Sequence, residues 1–128
     1  MSTIHLPTCS LYKDTNGIIH IEIKPGKDTT AQHFEPFKEA LLTICGNKQS
    51  VLLIDLSGYS LATTSFEFIR LFIDDKEIRN HTKYILIVSS NFIQKTVIEL
   101  ITKLFKPNLP FKAFDSQEKA VAWYLKNF

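Results

Sequence analysis

Glycine is scarce in this 128-residue chain: there are four, at 17, 26, 46 and 58, each isolated in a turn or at a strand or helix end. A phosphate-cradling loop needs several glycines in close succession, so that class of nucleotide binder is excluded, and no Gly-x-Ser-x-Gly elbow is present. Cysteine is nearly as rare. Cys9 and Cys45 have no cationic neighbours in sequence and read as two buried free thiols in a reducing cytoplasm. Charge of one sign is also lacking. Fifteen Lys and Arg stand against thirteen Asp and Glu, a net charge of +2. Long-range attraction to nucleic acid or to an anionic membrane is therefore not expected. No apolar run approaches the roughly 20 residues that span a bilayer. The opening MSTIHLPTCS has no basic region followed by an apolar core, so it does not read as a signal peptide. The four histidines, at 5, 20, 33 and 81, have no second ligand at metal-binding spacing. No metal, cofactor or catalytic activity is expected.

What is present is the material of one globular domain. Hydrophobic residues make up 45% and charged residues 22%, with ten Phe. That is enough to bury a core without a staple. The most informative stretch is VLLIDLSGYSLATTS, residues 51–65. Val51–Leu56 is a continuous apolar run with one acid, Asp55, and reads as a strand covered on both faces. It passes through Ser57–Gly58 and a short loop into a helix starting near Thr64.

Earlier in the chain, residues 3–12 and 18–24 read as two antiparallel strands. The turn Asp14-Thr15-Asn16-Gly17 joins them, with Asn-Gly supplying positive φ. Ile19, Ile21 and Ile23 alternate with His20, Glu22 and Lys24, the period of a half-buried strand. Pro7 removes a ladder donor and places the first strand at an edge or a bulge. A helix then starts at about 33–35, ends near Cys45 and is capped by Gly46. The second helix is expected over Thr64–Arg79, with Asp74-Asp75 near its solvated end. Its polar stripe is Glu67, Arg70, Asp74 and Glu77, and its wide apolar arc includes Phe68, Phe72 and Ile78. Strand Tyr84–Val88, a helix over 91–106 and strand Phe111–Phe114 follow. A last helix is capped by Asp115, with Val121, Leu125 and Phe128 on its inner face. The order β-β-α-β-α-β-α-β-α predicts an α/β fold: a mixed, mostly parallel five-stranded sheet with four helices.

The strings LLIDLSGYS and FKAFDSQEKAVAWYL, together with that element order, resemble the STAS domain in its SpoIIAA-like or Sec14-like form. The resemblance covers nearly the whole chain, read as a single domain over residues 1–128, and is closest to small bacterial members. It implies a non-enzymatic regulatory module that binds a protein partner. STAS domains that antagonise anti-sigma factors carry a phosphorylatable Ser at the start of the second helix, usually in a pattern like Asp-Ser-Ser-Gly. The matching stretch here is Thr63-Thr64-Ser65-Phe66, with Thr63 in place of the Asp and Phe66 in place of the Gly. Thr64, with Ser65 beside it, is the implied regulatory hydroxyl. The alternative is that Thr64 simply caps the helix.

Asp55 either contacts a ligand or accepts hydrogen bonds from the loop amides that follow it. Asp55, Ser57, Tyr59, Ser89 and Ser90 gather near the carboxyl ends of the two central strands, where open α/β sheets bind ligands. The wide apolar arc of the second helix is covered either by neighbouring helices or by a partner, and for the second case Phe68 and Phe72 are the candidate interface. A carrier of a small apolar ligand or lipid is the alternative, motivated by the Phe- and Ile-rich interior and by the Sec14-like resemblance. A homodimer through edge strands or apolar helices is a further expectation.

Overall fold

A computed structural model describes residues 3–24, 28–56, 66–89, 96, 99, 103 and 110–128. Six strands form one sheet in chain order: β1 (Ile4–His5), β2 (Cys9–Lys13), β3 (Ile19–Ile23), β4 (Ser50–Asp55), β5 (Thr82–Val88) and β6 (Phe111–Phe114). The first three are antiparallel, and β3 to β6 run parallel. The sixth strand corrects the expected five. Residues 3–12 split at Pro7 into β1 and β2, which fold back on each other with Ile4 opposite Leu11. The Leu6 N–H donates to the Cys9 carbonyl at 2.8 Å across the reversal. Pro7 has no N–H to give and a fixed φ, so an uninterrupted strand through it is disfavoured.

The β2–β3 turn is held by Asp14. Its carboxylate accepts from Asn16 N at 2.8 Å and Ile18 N at 3.0 Å. Only Gly17 uses positive φ, at 83°, and Asn16 does not. The Asp14 side chain supplies the local hydrogen bonds, so one left-handed position suffices.

A 3-10 turn, Ala31–His33, leads into α1 (Phe34–Cys45). Gly46 ends α1 with φ 62° and ψ −130°, a conformation reserved for glycine. The second helix is not continuous. It divides into α2 (Phe66–Asp74) and α3 (Lys76–His81) at Asp75, whose backbone is extended. The Asp75 carboxylate accepts from Ile78 N at 2.9 Å and pairs with Lys38 Nζ of α1 at 2.8 Å. An aspartate gains more as an N-cap than inside a helix, so α3 starts afresh here. Asp75 is therefore a tertiary anchor and not a solvated end. Burial alone would raise its carboxyl pKa, but the hydrogen bonds from Lys38 and Ile78 N outweigh it and hold the group below its ordinary 3.8. A depressed folded value contributes stability that is present above the ordinary carboxylate range. That stability is lost as pH falls through the depressed value. Asp75→Asn is expected to unfold at lower urea than the native chain at pH 7. The gap should narrow below about pH 4 as Asp75 protonates. A gap that stays constant across that range would refute the assignment.

The C-terminal helix spans Gln117–Asn127. Its cap is Ser116 in place of the expected Asp115: Ser116 Oγ accepts from Lys119 N at 3.2 Å, while Asp115 pairs with Lys119 Nζ at 3.6 Å. Its fully buried residue is Ala120, whereas Leu125 and Phe128, expected inside, are 55% and 54% exposed. Thr96, Glu99 and Lys103, the described residues of the expected helix 91–106, are helical.

The core has two layers. One face of the sheet (Cys9, Leu11, Ile19, Ile21, Leu52, Ile85) packs on Phe34, Phe37, Leu41 and Cys45 of α1 and on Ile78 of α3. The opposite face (Val51, Leu53, Leu86, Val88) packs on Ala120, with Val121, Trp123 and Tyr124 beside it. This is why β4 reads as a continuous apolar run: its side chains alternate between two covered faces. Each such buried Leu or Ile contributes about 1.5–3 kcal/mol of transfer free energy.

Candidate functional site

The carboxyl ends of β4 and β5 lie side by side, with Asp55 in register with Val88. Beyond them the backbone pairing continues. Leu56 N–H donates to the Val88 carbonyl and Ser89 N–H to the Phe114 carbonyl, each at 2.9 Å. Ser89 is fully buried. The Asp55 carboxylate accepts from Gln117 Nε2 at 2.6 Å, at the start of the C-terminal helix. Asp55 is thus tied to a residue 62 positions away. Ser57, Tyr59, Thr64, Ser65 and Ser90 lie outside the described residues.

Across the sheet from Asp55, a polar group occupies the same face of β2 and β3. Glu22 is in register with Asp55, and Tyr12 is opposite His20. The Tyr12 and His20 rings stack with centroids 4.6 Å apart and an interplanar angle of 7°. His20 Nε2 bonds Asp14 Oδ2 at 2.8 Å. His20 is buried, and its Nδ1 has no hydrogen-bond partner. Partial burial, and then the carboxylates of Glu22, Asp14 and Asp55, raise the pKa of the Tyr12 phenol. Sequence reasoning did not single out Tyr12, Asp14 and Glu22 as a group. The strand alternation was the available signal, but it needed the register to bring them together.

His5 is opposite Ser10 on β2 and bonds its hydroxyl at 3.1 Å, so it does not face His20. Both thiols are free and buried. Burial pushes Cys9 up to about 11 and also raises Cys45. Among the described residues, no three His, Cys, Asp or Glu side chains converge as a metal site.

The candidate interface pair turns inward. Phe68 meets Phe34 and Phe37 edge-on, with centroids 5.8 and 5.6 Å away, and Phe72 lies 5.8 Å from Phe37. These rings fasten α2 to α1. What α2 exposes is Leu71, 38% accessible, on one flank, with Ile69 and Ile73 half-buried on the other.

Residues 12–128 match the family described as Domain of unknown function (DUF7793). The chain belongs to that family. No curated protein matches it in sequence. Among solved structures, it is similar to an uncharacterised protein of the DUF3478 family with a SpoIIAA-like fold from Shewanella loihica PV-4. The two share 16% identity with a TM-score of 0.62, over 96% of this chain and 97% of that one. The fold is accordingly SpoIIAA-like, the STAS-type architecture that the strings LLIDLSGYS and FKAFDSQEKAVAWYL resemble. In this DUF7793 chain, no helix among the described residues is long and apolar enough to cross a membrane.

Proposed function

We propose that this chain is a non-enzymatic, STAS-like regulatory module of the cytoplasm that works by docking a protein partner. The docking face is α2 together with the adjoining segment 57–65. The observation that carries this reading is the way α2 divides its apolar residues. Phe68 and Phe72 hold it to α1, and Leu71 remains at the surface beside them. A helix needs only one apolar stripe to stay attached, so apolar area beyond that stripe is available to a partner. The non-enzymatic part is supported by the two cysteines, since burial raises the pKa of both thiols and so disfavours the nucleophilic thiolate. The aromatic residues that motivated a lipid carrier are largely matched to one another, as Phe34, Phe37, Phe68 and Phe72 are. That favours the docking module over the carrier.

Leu71→Glu separates docking from folding. Leu71 is exposed, so its stability should change by less than about 0.5 kcal/mol. The native chain, used as bait, should retain a partner that the variant loses. A native chain that stays monomeric and retains nothing reproducible, or a partner that survives Leu71→Glu unchanged, would sink the proposal.

A further inference from the structure

We infer a second docking surface, built for an acidic protein segment bearing aromatic or aliphatic side chains, where the end of the C-terminal helix covers the start of β5. Five rings meet there. Trp123 is 5.3 Å from Tyr84 and 5.7 Å from Phe114, and Phe128 lies 5.5, 5.8 and 5.1 Å from Tyr84, Trp123 and Tyr124. Two lysines sit over this cluster. Lys83 Nζ is 5.1 Å from the Phe128 centroid, and Lys112 Nζ is 5.0 Å from the Trp123 centroid. Both lysines are exposed, and neither has an ion-pair partner among the described residues. The acids of this helix, Asp115 and Glu118, stand at its opposite end, where Asp115 is paired with Lys119.

Exposed ammonium groups that make no ion pair among the described residues, next to half-exposed apolar surface, match a partner that supplies both carboxylates and apolar side chains. Phe128, 54% exposed, provides the apolar part. Aromatic anchors flanked by rim charge are the usual makings of a binding hot spot, with the charge setting specificity. The lysine positions argue against single-stranded nucleic acid. A base needs the bare face of a ring to stack on, and here an ammonium already occupies a face of Trp123 and of Phe128. A carboxylate needs only the outer side of the ammonium.

The surface rests on reading the chain as an interaction module, but not on docking through α2. Trp123 is the only tryptophan and lies inside the patch, so its emission reports binding at this place. The probe is a peptide of alternating Glu and Phe, titrated into the full chain alongside a Gln–Phe peptide and oligo-dT. The Glu–Phe peptide should shift the Trp123 emission. Its affinity should fall at least about tenfold in the Lys83→Glu, Lys112→Glu double variant, and stay unchanged in Lys48→Glu, a control at an exposed lysine after α1. Circular dichroism of each variant confirms the fold. Several results would overturn the inference: no binding, equal binding of Gln–Phe, equal loss in Lys48→Glu, or preference for oligo-dT. If the peptide fails while a partner is still lost in Leu71→Glu, only this surface is wrong. If both fail, the module reading falls with it.

Discussion

Leu52→Ala is expected to destabilise the domain by about 2–5 kcal/mol, toward the upper end of that range. Leu52 is fully buried at the centre of the sheet, between Ile19 on β3 and Ile85 on β5. Its side chain belongs to the layer that packs on α1, together with Phe37 and Leu41. Hydrogen-bonded strands flank it on both sides, so the surroundings have little freedom to collapse into the space left behind. A domain of this kind has roughly 5–15 kcal/mol in total, so this one change removes a large share. Urea unfolding should show a lower midpoint with an unchanged slope. Leu125→Ala, on the exposed side of the C-terminal helix, should shift the midpoint hardly at all. A Leu52→Ala cost under about 1 kcal/mol would contradict the two-layer core.

Asp14→Ala and His20→Phe should move stability in unequal ways. Asp14 serves three donors: Asn16 N, Ile18 N and His20 Nε2. Removing its carboxylate strands a buried imidazole whose other nitrogen is already without a partner. The expected loss is about 2–4 kcal/mol, because each buried group left unsatisfied costs about 1–3 kcal/mol. His20→Phe keeps the flat ring that stacks on Tyr12 and removes the unpartnered Nδ1. It should be close to neutral, or stabilising, since Asp14 still holds the turn through its backbone bonds. In the His20→Phe background, Asp14→Ala should cost visibly less, the sign of a shared interaction. If His20→Phe costs as much as Asp14→Ala, the imidazole has a role beyond this hairpin.

The site divides along similar lines. Asp55 was legible because an acid inside an apolar strand needs a partner. The sequence reading offered the neighbouring loop amides. Those amides lie outside the described residues; a partner among the described ones is Gln117, 62 residues on, which no local pattern could have indicated. Phe68 and Phe72 were legible as one helical face, but whether that face meets α1 or a second protein depends on how α1 is placed. The break at Asp75 was hidden for the same reason. An apolar periodicity running from 66 to 78 reads as one helix, and only the reach of Lys38 from α1 makes an extended residue worthwhile at 75.

By itself the sequence determined the alternation of helices and strands after the opening hairpin, the parallel strands β4, β5 and β6, the Asp14–Gly17 turn and the end of α1 at Gly46. These depend on hydrophobic period, φ preference and side-chain-to-backbone bonds within a few residues, all of which are local. The tertiary structure alone decided the reversal at Pro7 as paired strands, the division at Asp75, and the orientation that leaves Leu125 and Phe128 outside. It also decided the meeting of Tyr12, His20, Glu22 and Asp55 on one face of the sheet. Those outcomes turn on strand register and on which helix covers which half of a face. Both are set by the fit of surfaces distant in sequence, where a shift of one residue exchanges the buried side for the exposed one.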